Sequence, residues 1–251
     1  MTFTDHFAAV AAAYAAHRPT YPPQLFAWLA AQCPARQLAW DCATGTGQAA
    51  VALADHFEQV WATDASSAQL EAAVPGRTIT YHAAPAEASG LPDCCADLIT
   101  VAQALHWFDL EPFYSEVRRV LKPGGLLAVW TYGVFHAEGA DNAAVQLLLD
   151  RFYYETVGPC WPPERRHVED GYAYLAFPFE PLAPPAFRMA VDWSLPELIG
   201  YLRSWSAVSR YQQQTGTDPT LPLAGELAPL WGQLPRRVTW PLSLKVGRIP
   251  S

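Results

Sequence analysis

A short apolar run followed by a turn of small residues and a helix constrains the fold more than any other part of the sequence. Residues 38–40 predict a buried strand that ends at Asp41, and an Ala-rich stretch at residues 48–57 predicts a helix. Between them, Gly45 and Gly47 can adopt backbone angles closed to other residues and carry no Cβ to repel a ligand. The free N–H groups of the following helix attract an anionic or polar ligand group, so the unit predicts a nucleotide-type cofactor site.

A second apolar run, residues 59–64, also ends in an acid, Asp64. At this distance from the glycines, a doubly wound nucleotide-binding fold places a carboxylate that binds the ribose hydroxyls. The glycines alone leave two cofactor classes open, because Ala50 supplies the third small residue that a dinucleotide fingerprint requires.

Strands and helices alternate through the first half of the sequence. Strands are predicted at residues 38–41, 59–64, 78–83, 96–102 and 126–132, and helices at residues 24–32, 48–57, 66–73 and 112–120. This alternation predicts an α/β fold with a parallel sheet covered by helices on both faces. Right-handed crossovers would bring Asp41, Asp64, Glu87 and Gln103 to one edge of that sheet.

The second half of the sequence is less regular. It predicts a helix at residues 142–154, an irregular Pro- and aromatic-rich stretch at 158–185, a strand at 186–191, helices at 195–211 and 221–233, and a closing strand at 237–246. Residues 136–186 are too short and broken for a core of their own, so we interpret them as an insertion.

Ordered motifs across residues 38–130 resemble those of the class I S-adenosylmethionine (SAM) methyltransferases. The acid Asp41 before an x-G-x-G loop resembles their first motif, with Ala43 in place of its earlier glycine. Residues 84–93 resemble the loop after strand three, residues 97–108 strand four with its loop, and residues 116–125 the turn before strand five. The segments RPTYP and ALHWF resemble small-molecule methyltransferases of the trans-aconitate and ubiquinone/menaquinone biosynthesis type.

The resemblance implies one methyltransferase domain over residues 1–251. Its doubly wound, mostly parallel, seven-stranded Rossmann-like sheet would include an antiparallel strand near the C-terminus and carry a helical, aromatic cap insertion. Residues 1–34 would form a helical lid, 35–135 the SAM-binding core, 136–186 the cap, and 187–251 the strands and helices that complete the sheet.

The same resemblance implies SAM as the cofactor and S-adenosylhomocysteine as the product. Asp64 would accept hydrogen bonds from the ribose hydroxyls, although an acid before Ser66 is also a common helix N-cap. Gln103 would lie beneath the methionine moiety. The other implied cofactor contacts are Asp41, Ala43, Gly45, Gly47, Ala65, Ala86 and Glu87, with Tyr14 and Arg18 from the lid.

His106 and Trp107 follow strand four and are expected to face the transferred methyl group and the acceptor. Trp107 would attract the sulfonium by a cation–π contact, and neutral His106 would take a proton from an acceptor hydroxyl. A histidine after a strand is also a common structural group, so both roles stay open. The implied reaction is methyl transfer to a small molecule, at a carboxylate or hydroxyl oxygen.

The residues of the cap leave the acceptor undecided. Its many aromatic side chains suit either an apolar acceptor pocket or packing onto the core. Arg165, Arg166, Arg203 and Arg210 would suit an acidic acceptor, and each is equally consistent with a solvated surface.

Charge and composition limit the partners. The net charge of −8 argues against a nucleic-acid substrate. The five cysteines lack zinc-site spacing and predict reduced thiols, with no metal. No apolar segment is long enough to span a membrane, and the Ala-rich start lacks a basic leader, which predicts a cytoplasmic protein without membrane or nucleic-acid partners. An NAD-dependent oxidoreductase, a non-catalytic SAM-binding or regulatory module and a protein methyltransferase remain alternatives.

Overall fold

Parallel pairing of five strands forms the first half of the sheet. The computed structural model describes residues 19–139 and 142–249, so Tyr14, Arg18 and most of the expected lid lie outside the described residues. The strands are β1 (Leu38–Cys42), β2 (Gln59–Asp64), β3 (Ile79–Ala83), β4 (Ala96–Ala102) and β5 (Leu121–Tyr132). They lie in the order β3-β2-β1-β4-β5. The predicted parallel sheet is therefore confirmed.

An antiparallel half extends the sheet beyond β5. Its strands are β6 (His136–Ala137), β7 (Glu180–Leu182), β8 (Arg188–Trp193) and β9 (Arg236–Arg248). The long β9 pairs antiparallel with β5 and also with the three shorter strands. The predicted antiparallel closing strand is confirmed, but the strand count of seven is wrong: the described residues form nine strands. The two extra strands, β6 and β7, have two and three residues, too few for a period-2 pattern to show.

Helices cover both faces of the sheet. They are α1 (Pro23–Gln32), α2 (Gln48–Leu53), α3 (Ser67–Glu71), α4 (Leu110–Val120), α5 (Asn142–Arg151), α6 (Arg165–Glu169), α7 (Leu195–Arg203), α8 (Ser206–Thr215) and α9 (Thr220–Trp231). On one face, α1 and α2 pack apolar residues against Trp130 of β5. On the other face, α4 and α6 pack around Trp40 of β1. Within residues 19–139 and 142–249, no helix is both long and apolar enough to cross a bilayer.

The single helix predicted for residues 195–211 is wrong. Its first half, α7, ends at Arg203, and α8 starts again at Ser206. Between them, Trp205 is extended (φ −75°, ψ 134°), and its ring centroid lies 5.5 Å from that of Trp161 and 5.6 Å from that of Tyr153. Packing of the partly buried Trp205 indole in this aromatic cluster overrides the helical pattern.

Two other boundaries in the cap differ from the predictions. The helix predicted for residues 142–154 ends at Arg151 and continues as a wide π-type turn, Phe152–Thr156, in which Phe152 and Tyr153 are both buried. The stretch at residues 158–185, predicted as irregular, contains both α6 and β7. In each case, packing of aromatic side chains decides the local backbone.

Asp97 joins the starts of β1 and β5 to β4. Its carboxylate is fully buried, and Oδ2 accepts the backbone N–H groups of Gln37 (2.8 Å) and Leu38 (3.0 Å). The other oxygen, Oδ1, lies 2.9 Å from Nζ of Lys122. A second acid four positions earlier, Asp93, pairs with Arg119 at the surface, where 75% of the Asp93 side chain is exposed.

We expect Asp97→Ala to lower the free energy of unfolding by about 3 kcal/mol, because it leaves two backbone donors without their acceptor and the half-buried Lys122 ammonium without its counter-charge. Asp93→Ala is the matched control and should cost less than about 1 kcal/mol, since exposed ion pairs contribute little. Urea unfolding of both variants measures the difference. Equal losses would contradict the role assigned to Asp97.

Candidate functional site

The loop between β1 and α2 is built from alternate left-handed residues. Ala43, Gly45 and Gly47 have φ values of +55°, +57° and +85°. The intervening Thr44 donates its backbone N–H to the carbonyl oxygen of Thr63 at 2.9 Å. Ala43 takes a conformation that costs a residue with a Cβ about 1–2 kcal/mol, at the position where the motif that it resembles has glycine.

Asp64, at the end of β2, holds this loop in place. Its Oδ2 accepts the backbone N–H of Gly45 at 2.8 Å, and its Oδ1 accepts that of Ser66 at 2.9 Å. The N-cap of α3 is Ser66 itself, whose hydroxyl accepts the N–H of Gln69. Asp64 is half-buried at the end of β2, and its carboxylate therefore lies directly beside the left-handed loop.

Asp41 supports the loop from beneath. Its carboxylate is buried, and its two oxygens accept hydrogen bonds from the hydroxyls of Thr44 (2.5 Å) and Thr100 (2.7 Å). Burial raises the pKa of Asp41 to about 6, although both hydroxyls lower it. The sequence analysis missed both threonines, and the signal available was that a buried carboxylate at a strand end needs nearby donors.

The space around the backbone differs between Gly45 and Gly47. A Cβ on Gly47 would lie 2.2 Å from the phenol oxygen of Tyr81, which donates to the carbonyl oxygen of Val74 at 2.7 Å. Among the described residues, a Cβ on Gly45 would meet only Oε1 of Gln69, at 3.9 Å. Within that part of the chain the approach to the loop is open at Gly45, beside the carboxylate of Asp64, and this combination fits the ribose of an adenosine-type cofactor.

The remaining predicted cofactor contacts lie along the same edge or next to it. Gln103 follows β4 with a φ of +58°, but its amide is bound to β5: Oε1 accepts the N–H of Tyr132 at 2.9 Å, and Nε2 donates to the Tyr132 carbonyl oxygen at 3.1 Å. Glu87 accepts the N–H of Asp109 (3.3 Å) at the start of α4. Ala65 is exposed and Ala86 is partly buried. Their contact with the cofactor stays a prediction.

The turn after β4 carries the two predicted acceptor-facing residues. His106 and Trp107 have ring centroids 4.7 Å apart, and Trp107 is 39% exposed. Nδ1 of His106 lies 2.9 Å from the hydroxyl of Tyr172, a buried residue with a φ of +62° that follows α6. Burial, together with the nearby positive charges of Arg165 and His167, lowers the pKa of His106 to about 3.

The cap covers this turn. Helix α6 packs against the turn at residues 105–107 and against β5, and its Val168 is buried in the same cluster as Leu105 and Tyr172. The sheet edge therefore has two parts: a glycine loop with Asp41 and Asp64, and a turn with His106 and Trp107 beneath the cap. Such an edge can bind a nucleotide-type cofactor on one side and a second ligand on the other.

Comparison with known proteins identifies relatives of this arrangement. The methyltransferase-domain family matches residues 40–129. A protein of Dictyostelium discoideum named as a methyltransferase is 36% identical over 218 residues, 86% of this chain and 82% of that protein. A solved structure from Anaeromyxobacter dehalogenans, described as a methyltransferase, is 43% identical with a TM-score of 0.87 over 93% of this chain and 99% of the other.

More distant matches agree in fold. A crystal structure from Bacillus halodurans, also described as a methyltransferase, has a TM-score of 0.51 and 19% identity over 91% of this chain and 99% of the other. Further matches to proteins named as methyltransferases span about half of those proteins' length.

We expect Gly47→Ala to destabilise the protein by about 3 kcal/mol, because it adds a steric overlap with Tyr81 to the strain of a left-handed Ala. Gly90→Ala is the matched control, since Gly90 has a φ of +75° and open space around its Cβ position, and it should cost about 1 kcal/mol. Urea unfolding gives both values. The extra cost at Gly47 should fall in a Tyr81→Ala background, and a cost that stays the same would contradict the overlap.

Proposed function

The chain belongs to the class I SAM-dependent methyltransferases, and from this we propose that it methylates a small molecule at oxygen. The observation that supports the proposal most is the two-part sheet edge, in which the glycine loop and Asp64 stand beside a capped turn that carries His106. Family membership also removes the NAD-dependent oxidoreductase as an alternative, since the relatives are methyltransferases.

The residues of the glycine loop fit the cofactor of this family. Asp64 would bind the ribose hydroxyls from its place beside the loop, and no described residue fills the space next to Gly45. Asp41 would act through Thr44, by holding the loop in its left-handed path. When bound, SAM would supply a sulfonium methyl group. The acceptor oxygen would bond to the methyl carbon as the carbon–sulfur bond breaks, and the electron pair of that broken bond would stay on sulfur.

The cap supports a small acceptor rather than a protein or nucleic-acid chain. It places α6 and Tyr172 over the turn that carries His106, which favours an enclosed acceptor. The net charge of −8 also disfavours a polyanion. All five cysteines are unpaired, which is typical of a reducing compartment, so we propose a cytoplasmic enzyme without membrane or nucleic-acid partners.

The lowered pKa of His106 helps to decide whether the acceptor oxygen belongs to a carboxylate or to a hydroxyl. A general base works best when its pKa lies near the working pH, and with a pKa of about 3 His106 is a weak base at pH 7. An acceptor oxygen that arrives ionised, such as a carboxylate, needs no base. We therefore assign His106 to contact with the acceptor, held by Tyr172, and not to proton removal.

We expect Asp64→Ala to weaken binding of S-adenosylhomocysteine at least tenfold, about 1.4 kcal/mol, because it removes the predicted ribose acceptor and frees the N–H of Gly45. Calorimetric titration measures the affinity. Asp64→Asn, which keeps one acceptor oxygen, should lose less than Asp64→Ala. Asp55→Ala, at an exposed acid beyond α2, is the control and should bind as the wild type does. Unchanged affinity in Asp64→Ala would place the cofactor elsewhere.

We expect His106→Gln to lower kcat by less than tenfold, whereas loss of a general base costs about 10²–10⁴-fold. The pH profile of kcat above pH 5 should be the same in His106→Gln as in the wild type, since His106 stays neutral above a pKa of about 3. The rates are measured by transfer of labelled methyl to small carboxylic acids and phenols. His136→Gln, at an exposed strand position, is the control. A thousandfold loss restricted to His106→Gln would restore the role of base.

A further inference from the structure

The four arginines that suit an acidic acceptor, two in the cap and two in the helices after it, differ in their partners. Arg203 pairs with Asp218 at 3.0 Å, and Arg210 donates to the carbonyl oxygen of Cys160 at 3.2 Å. Arg166 is exposed on the outer side of α6. Arg165 is half-buried, and no carboxylate of the described residues lies within ion-pair distance of it. It is the one of these four arginines that is half-buried and makes no direct ion pair among the described residues.

The guanidinium of Arg165 is held in a fixed orientation. Its central carbon lies 4.6 Å from the ring centroid of Trp161 and 5.5 Å from that of Tyr153. Its Nε donates to the Tyr153 hydroxyl at 2.7 Å, and that hydroxyl donates to Oε1 of Glu169, also at 2.7 Å. These contacts use one edge of the guanidinium, and its two terminal nitrogens have no hydrogen-bond partner in the described part of the chain.

A second donor without a partner lies beside this guanidinium. The indole nitrogen of Trp161 is buried and has no acceptor among the described residues, and a buried donor left unpaired costs about 1–3 kcal/mol. The Trp161 ring is fixed by Arg165 on one side and by Tyr153 and Trp205 around it. The ring that carries this unpaired N–H is thus the same ring that stacks on the Arg165 guanidinium.

This pair of donors is adjacent to the acceptor side of the proposed site. Arg165 opens α6, the helix that packs on the turn with His106, and it is close enough to lower the pKa of His106. A guanidinium presents two parallel N–H bonds that match a carboxylate. One guanidinium and one neutral donor suit a singly charged planar group better than a doubly charged phosphate.

We infer that Arg165 and the indole N–H of Trp161 bind a carboxylate of the methyl acceptor. The inference rests on the proposed methyl transfer and narrows its substrate class to small carboxylic acids. The aromatic rings of Tyr153, Trp161 and Trp205 border the two donors, so an acid with a flat apolar body is the best complement.

Nuclear magnetic resonance of the tryptophan side chains tests the site directly. In protein labelled with ¹⁵N-tryptophan and saturated with S-adenosylhomocysteine, the Trp161 indole signal is the one that disappears in Trp161→Phe. Sodium benzoate, the probe, should shift this signal downfield in a saturable way, whereas neutral benzamide at the same concentration should not. Phenyl phosphate should bind more weakly than benzoate.

Arginine variants supply the matched comparison. Arg165→Gln should weaken benzoate binding at least tenfold, about 1.4 kcal/mol, and Arg165→Lys should also weaken it because an ammonium lacks the bidentate fork. Arg166→Gln, one position along the same helix, should leave it within twofold of wild type. Unchanged binding of S-adenosylhomocysteine in each variant shows that the fold is intact.

The outcomes separate this inference from the proposed function. If S-adenosylhomocysteine binds but benzoate produces no saturable shift, or benzamide shifts the signal equally, the carboxylate site is wrong and the methyltransferase assignment stands. If Arg166→Gln weakens benzoate as much as Arg165→Gln does, the effect is general electrostatics and the site is again wrong. Failure of S-adenosylhomocysteine to bind the wild type counts against the proposed function instead.

Discussion

Parallel pairing of β1, β2 and β4 is the constraint on which the site depends. It aligns the carboxyl ends of the three strands, so that Asp41, Asp64 and the turn after β4 meet at one edge. The strand ends then shape the loop between them, since Asp64 accepts the N–H of Gly45 and Thr63 accepts that of Thr44. The loop on the cofactor side is thus held by hydrogen bonds that form without a ligand. Binding therefore carries little free-energy cost for ordering this loop.

The proposed acceptor side depends on a different part of the chain. The buried hydroxyl of Tyr172 contacts His106, and Thr131 of β5 donates to the Gln103 amide directly beneath the turn. Residues of the cap therefore fix the position of a side chain that the sheet presents. A change of acceptor would require changes in the cap, while the loop with Gly45 and Asp64 could stay as it is.

The sequence predicts the cofactor half of this protein far better than the acceptor half. Strands β2 and β4 have their predicted bounds, because buried parallel strands are short apolar runs with clear ends. The break at Trp205 and the wide turn after Arg151 were not predicted, since each depends on aromatic contacts between distant residues. The contact between His106 and Tyr172 also joins positions 66 residues apart, which no local pattern reveals.

The pairing of β5 with β9 has a consequence for how the chain reaches this structure. Residues 126–130 of β5 are fully buried and apolar, yet their antiparallel partner comes much later in the chain, after the cap and three further helices. Until β9 docks, β5 is an open sheet edge with its hydrogen-bonding groups unpaired. Distant strand pairing is slow to form. The intermediate that lacks β9 is therefore the species most exposed to intermolecular strand addition and aggregation.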